Sequence, residues 1–247
     1  MKEIIPAPKD GPNPRKYPPR EIVDAILYKL RTGCQWEYLP HDLPPWRSVS
    51  DYFYQWRDNG TWTRLNDALR KRVRHAEGRH ADPSIGIIDS QSTKSTEVGG
   101  TTGFDAGKRV KGRKRHIIVD ILGLLLVVIV TAASISDQAT IRPLALRAKE
   151  ASPRLEKLVG DTHYQGPMAD RAAHDAGIAI EVLHPSINRR GFEPIPIRWH
   201  VEQSFGWINR WRELSKEYTR SPRNSEAWIQ VGFIALMANR LTRGSRA

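Results

Sequence analysis

The sequence predicts an α/β (mixed α+β) fold: a mixed sheet flanked by helices, preceded by a small all-helical domain. Three observations carry this. Apolar residues up to about position 80 recur with helical spacing, and after Ala81-Asp82-Pro83 short β-branched runs alternate with helical ones. Two of those short runs, GIID and LEKLVGD, end on a carboxylate. The division places an N-terminal arm and helical domain at 1–80 and the sheet domain at 81–247.

The first nineteen residues are rich in Pro, Lys and Arg and read as an extended arm. From Arg20, Ile22, Ile26 and Leu30 share a face with Val23 and Leu27 until Gly33 ends the helix. Val49, Tyr52, Phe53 and Trp56 predict a helix over 48–57. Leu65, Ala68, Leu69 and Val73 predict another over 62–74, with a strongly basic outer face. Three short helices with a basic face suit a DNA-binding bundle of helix-turn-helix type. They suit equally helices that pack on a larger core with a merely solvated face. Strands are predicted at 85–89, 115–120, 124–131, 155–161 and 178–183, and helices at 140–151, 168–176, 199–214 and 226–241. Three strands, then helix, strand, helix, strand and helix, is the order of the ribonuclease-H-like fold.

Thirty-nine Lys and Arg against 27 Asp and Glu give a formal charge of +12 and a pI near 10.0. Such a field favours a polyanion, nucleic acid or an anionic membrane surface. The single cysteine, Cys34, excludes an internal disulfide and a multi-cysteine zinc site, and reads as a buried structural thiol in a reducing compartment. MKEIIPAPKDG lacks the apolar core of a signal peptide. Residues 117–135 resemble a membrane span, but the apolar run Ile121–Ala133 falls short of the roughly 20 residues a bilayer needs. With Gly123 inside it, the stretch reads as a buried hairpin.

Strand-end carboxylates in an open α/β sheet mark its functional edge. Asp89 and Asp161 occupy such ends and converge if their strands are neighbours. Glu202 lies in WHVEQSFGWINRW, beside the apolar stripe of Val201, Phe205 and Ile208. Three converging carboxylates repel one another unless they bind a cation. An all-oxygen set favours Mg²⁺, and two such ions can activate the attacking oxygen and stabilise the leaving one in phosphoryl transfer. Singly, each carboxylate reads as a turn former or helix cap; the joint pattern favours metal ligation. Asp137 reads as a helix cap, Asp120 as part of the hairpin turn, and Glu193, in GFEPIPI, as the substitute for Glu202.

These residues carry a resemblance. IDSQSTKS, GGTTGFDAGKRVKGRKRHIIVDILGLLL, LVGDTHYQG and IRWHVEQSFGWINRWRELSKEY closely resemble the DDE transposases of bacterial insertion sequences, over nearly the whole chain. The resemblance implies Asp89, Asp161 and Glu202 as a catalytic triad holding Mg²⁺, with Mn²⁺ as a substitute. It also implies binding to the element's terminal inverted repeats, cleavage, strand transfer by the freed 3′-hydroxyl into target DNA, a homo-oligomer on double-stranded DNA, and a bacterial cytoplasmic, nucleoid-associated location without a membrane. The chain departs from the pattern in three places. It starts near the LLP-like segment (EIIPAP), which implies a shortened N-terminal domain. Thr162-His163 stands where a small residue precedes Tyr164, so His163 either approaches a metal or phosphate or fills a surface or capping role. Of the Tyr, Arg, Glu and Lys spaced through the last motif of broader relatives, Arg198 and Glu202 match, whereas Ile195 and Asn209 replace the Tyr and Lys, with Arg210 adjacent. Arg198, one turn from Glu202, is placed for phosphate contact, as is Arg210.

GKRVKGRKRH carries Lys108, Arg109, Lys111, Arg113, Lys114 and Arg115 in a long connection. It reads either as a loop gripping DNA phosphates near Asp89 or as a solvated charge run. Trp36, Trp56, Trp62 and Trp199 are expected in the core, and the helix around Trp207 and Trp211 is a candidate for approach to DNA. The predicted function is thus a Mg²⁺-dependent DNA transposase. The rivals are a ribonuclease-H-like nuclease that cuts without joining, and a non-catalytic DNA-binding protein of transposase descent.

Overall fold

The computed structural model describes Ile5, residues 17–183 and residues 196–244, with the backbone alone at 196–198, 243 and 244. The rest of the proline-rich arm, and the segment carrying Glu193 and Ile195, lie outside the described residues. Helices α1 (Pro19–Thr32), α2 (Trp46–Asp58) and α3 (Thr61–Ala76) come first. Strands β1 (Ile85–Lys94), β2 (Gly103–Asp105), β3 (Val110–Val119) and β4 (Leu125–Ala132) follow, then α4 (Asp137–Ala151), β5 (Lys157–Gly160), α5 (Pro167–Ala176) and β6 (Ala179–Val182). Helices α6 (Pro196–Ile208) and α7 (Pro222–Gly244) complete the chain.

β1 is central. It pairs antiparallel with β3, which carries β4 and the short β2 beyond it, and parallel with β5, which carries β6. Three antiparallel strands followed by two parallel ones, reached through α4 and α5, form the ribonuclease-H-like sheet that the element order predicted.

Side-chain alternation divides the sheet between two cores. Ile87, Ile117 and Val119 join Val201, Phe205 and Ile208 of α6, most of α7 and the N-terminal helices. Ile88 and Ile118 face the other way, onto Ile141, Leu144 and Ala148 of α4 and Ala169 and Ala172 of α5. The N-terminal helices therefore pack on the larger core: Phe53 stacks on Trp228 of α7 at 4.3 Å, and Lys29 pairs with buried Glu213 at 2.7 Å. Trp56 and Trp62 lie in that core and Trp36 packs against it, as expected, but Trp199 is 51% exposed. Two residues before Val201, it falls on the side of α6 away from the docking stripe. Cys34 is only half-buried.

Two of the five Lys and Arg on the expected basic face of α3 are interior. Arg70 donates to the carbonyls of Leu125 and Ala151, and Arg74 pairs with fully buried Asp120 at 2.5 Å. Arginine at these positions reaches the edge strand, the end of α4 and the hairpin turn, and gives the buried Asp120 carboxylate a charged partner. Asp120 makes the β3–β4 turn as predicted, accepting from the amides of Leu122 and Leu124. Among the described residues, no helix is long and apolar enough to cross a membrane, and residues 117–135 contain the β3–β4 hairpin.

Three further expectations are corrected. β1 does not end at Asp89. Its pairing with β5 stops at Ile87↔Val159, but β3 accompanies it to Lys94. The basic stretch is not a loop either: from Val110 it is strand β3, and Arg113, Lys114 and Arg115 are all buried. The last catalytic-region helix stops at Ile208, and a separate 3₁₀ turn covers Arg212–Leu214.

Candidate active site

The parallel register of β1 and β5 runs Ile85↔Lys157, Gly86↔Leu158 and Ile87↔Val159. Two residues on, Asp89 and Asp161 come level, where β5 has ended and β1 continues alone with β3. Each stands two residues after a buried one, Ile87 and Val159, and Ile87 belongs to the core that α6 covers. Asp89 Oδ1 accepts the Ser90 amide at 2.7 Å. Asp161 caps the 3₁₀ turn Thr162–Tyr164: its Oδ1 accepts the His163 amide at 2.9 Å and stands 3.1 Å from His163 Nδ1. The His163 ring is exposed beside the capping Asp161.

Tyr164 lies within electrostatic reach of both aspartates. It is 1% exposed and its hydroxyl makes no hydrogen bond. Burial holds its pKa well above the usual value, and the carboxylates of Asp89, Asp137 and Asp161 push it the same way. A buried phenol among three carboxylates remains a neutral O–H.

Glu202 is exposed on α6, beside buried Val201, and α6 packs across β1 and β3. Ser204 fixes this helix to the hairpin turn by donating to the Gly123 carbonyl at 2.9 Å. A Cβ on Gly123, at φ +71°, would meet Ser204 and Trp207 at 2.8 Å. The helix can sit this close only over a glycine. The two aspartates are thus brought together. Among the described residues, however, no three His, Cys, Asp or Glu side chains are grouped to hold a metal ion. The donor chemistry of the aspartate pair, oxygen-only where β5 ends beside β1, fits a hard divalent cation. Arg198 lies in the first turn of α6, its side chain outside the described residues, and Arg210 is exposed just past the helix.

The basic residues separate into two groups. Arg113 and Arg115 face α7 and share buried Glu217, Arg115 Nη2 at 2.6 Å and Arg113 Nη1 at 3.5 Å. Lys114 faces the other way, between Asp105 at 3.6 Å and Asp137 at 3.5 Å. Buried and partnered in this way, these three side chains leave no cation turned to a surface phosphate. Lys108, Arg109 and Lys111 are exposed.

Asp137 is not the helix cap: Ser136 accepts the Ala139 amide, and Asp137 turns inward to His116 at 3.4 Å. Its pKa is far below the usual carboxylate range. Burial opposes that shift, but hydrogen bonds from His116 and Ser90 and the charge of Lys114 outweigh it. His116, fully buried, lies between Thr131 and Thr140. Sequence reasoning missed Ser90, His116, Asp137 and Tyr164 as neighbours of the aspartates. A signal existed in β3, where Lys114 and His116 alternate with Arg113 and Arg115 at period two.

Burial pulls the His116 pKa below its ordinary value, and Asp137 only partly restores it. A histidine held neutral stabilises the fold above its unfolded pKa, and this contribution is lost as pH falls below roughly 6.5. Unfolding free energy measured between pH 7.5 and 5 is expected to fall on acidification, with a shallower slope in His116→Gln.

Residues 80–238 match the family model described as "Transposase DDE domain", and residues 1–66 match "Putative transposase of IS4/5 family". The chain belongs to the DDE transposase family. Two proteins from Burkholderia cepacia are similar to this transposase. "Putative transposase for insertion sequence element IS402" is 27% identical over 143 residues, which is 55% of this chain and 67% of that protein. "Insertion element IS402 uncharacterized 16.2 kDa protein" is 30% identical over 102 residues, 38% of this chain and 65% of that protein. The chain thus spans about two thirds of each relative's length. Among solved structures, the catalytic domain of Mos1 mariner transposase aligns with TM-score 0.35 and 9% identity, over 74% of this chain and 93% of that one. The Mos1 mariner paired end complex with Mn aligns with TM-score 0.33 and 11% identity, over 97% of this chain and 82% of that one.

Proposed function

We propose that the chain binds the terminal inverted repeats of its insertion sequence, cleaves the DNA there with a divalent metal, and joins the freed 3′-hydroxyl to target DNA. The observation that supports this reading is the parallel register of β1 and β5, which, continued two residues past Ile87↔Val159, sets Asp89 within β1 level with Asp161 just beyond β5. Family membership and the formal charge of +12 support it. Residues 81–247 form the catalytic domain in this reading, and residues 1–80 form the arm and helices that contribute end recognition.

Asp89, Asp161 and Glu202 would hold Mg²⁺, with Mn²⁺ as a substitute. The bound metal supplies Lewis-acid activation of the attacking oxygen and stabilises the leaving one. The chain's own residues do the positioning. Tyr164, buried and neutral, packs beneath the aspartates and adds no charge to their site. Lys108, Arg109 and Lys111, with Arg198 and Arg210, neutralise phosphates on either side of the cut. Arg113, Lys114 and Arg115 act through the frame, holding β3 against α7 and α4. Two copies on paired ends would act together, in the bacterial cytoplasm at the nucleoid.

Incubating the protein with precut duplex ends, supercoiled plasmid and Mg²⁺ tests the joining step. The expected product is the end covalently attached to the plasmid. Cleavage of uncut ends without any joined product would replace the transposase with a nuclease, and binding with neither reaction would leave a DNA-binding protein.

A further inference from the structure

The turn between β2 and β3 is fastened to β1 on its inner side and presents an aromatic ring and cations on its outer side. Asp105 is the fastening. One carboxylate oxygen accepts the Lys108 amide at 3.0 Å, and the other accepts the Ser92 hydroxyl at 2.5 Å. The Lys108 ammonium folds back to the Ser90 carbonyl at 2.9 Å, next to Asp89. Two glycines let the hairpin lie close: a Cβ on Gly112 would meet the Thr93 carbonyl at 2.0 Å, and one on Gly103 would meet Ser134 Oγ at 2.4 Å. On the outer side Phe104, paired with Lys111 across the ladder, is 56% exposed. Arg109 takes a left-handed backbone, φ 53°, among the described residues the one non-glycine to do so. Such a conformation is uncommon for arginine and persists only where the surroundings impose it. Phe104, Lys94, Arg109 and Lys111 line a groove of about 560 Å³, with Glu97 as its one carboxylate among the described lining residues.

An exposed phenylalanine alone needs no explanation. Held on a fastened hairpin among three cations, it matches the two parts of a nucleic-acid strand, base face and phosphate. We propose that this hairpin engages DNA beside the cleavage site, Phe104 stacking on an unstacked base while Lys94, Arg109 and Lys111 neutralise the phosphates flanking it. The inference rests on the transposase reading and adds a partner conformation to it: DNA opened at the cut, not an undisturbed duplex.

The test compares affinity for a labelled duplex of the element's terminal repeat with that for the same duplex carrying an unpaired dinucleotide at the cut. Wild type is expected to prefer the unpaired substrate. Phe104→Ala is expected to lose that preference by about tenfold, within the range of base–aromatic stacking, and Phe104→Tyr to retain it. Arg109→Gly keeps the left-handed backbone without the cation, and should lower the log–log salt slope by about 0.9. Binding and cutting with a preference unaffected by Phe104→Ala would overturn this inference alone. So would a DNA-free oligomer that Phe104→Ala dissociates, because the ring would then serve a protein contact. Wild type binding to neither duplex would overturn the transposase reading and this inference with it.

Discussion

Asp161→Asn is expected to lower DNA cleavage about a thousandfold, while folding and duplex affinity stay within about twofold of wild type. The size follows from losing several kcal/mol of charge stabilisation in the transition state, at about 1.4 kcal/mol per factor of ten. Asparagine keeps the shape and can still cap Thr162–Tyr164 through its amide oxygen, which accepts the His163 amide as the carboxylate does. Only the charge and one donor oxygen are lost. The substitution therefore separates the proposed metal-binding role of Asp161 from its capping role, where alanine would confound them. Thermal unfolding and a cleavage time course on the same samples check it. Loss of activity with matching loss of stability would assign Asp161 to the turn alone.

Glu217→Ala is expected to destabilise the protein by about 3–5 kcal/mol, the cost of leaving buried charge without its partner. Glu217 is 3% exposed and holds Arg115 at 2.6 Å and Arg113 at 3.5 Å, with the Ser225 hydroxyl on the same carboxylate. Both guanidinium groups would remain interior, and burial already depresses the Arg113 pKa. The exposed pair Lys157–Glu181, equally short at 2.7 Å, is the control. Water screens it, so Glu181→Ala should change stability by less than about 1 kcal/mol. Urea unfolding of both variants measures the contrast. Equal effects would mean that Glu217 does not organise the β3–α7 junction.

Strand and helix order was legible because apolar periodicity is local. Ile87, Ile88, Ile117 and Ile118 announce a strand pair before any partner is known. The aspartates were legible for the same reason, each closing an apolar run. The polar half of the sheet was not. SQSTK and KGRKR lack the apolar alternation that marks a strand, and burial of Arg113, Lys114 and Arg115 depends on Asp105, Asp137 and Glu217, carboxylates outside the run. Charge was read as surface where long-range partners make it interior, in Arg70 and Arg74 as in Arg113 and Arg115. Asp137 shows the same limit: helix-start position suggested a cap, but the neighbouring Ser136 takes that task and frees the carboxylate for His116.

The central claim is that Asp89 and Asp161 act together in metal-dependent cleavage of the element's own ends. The most direct measurement is cutting of a labelled duplex bearing that end, in Mg²⁺ and in EDTA, by wild type and by Asp89→Asn. The predicted result is cutting by wild type in Mg²⁺ and loss of it in EDTA and in the variant, which still binds the duplex. Cutting that persists in Asp89→Asn, or in EDTA, would contradict the claim.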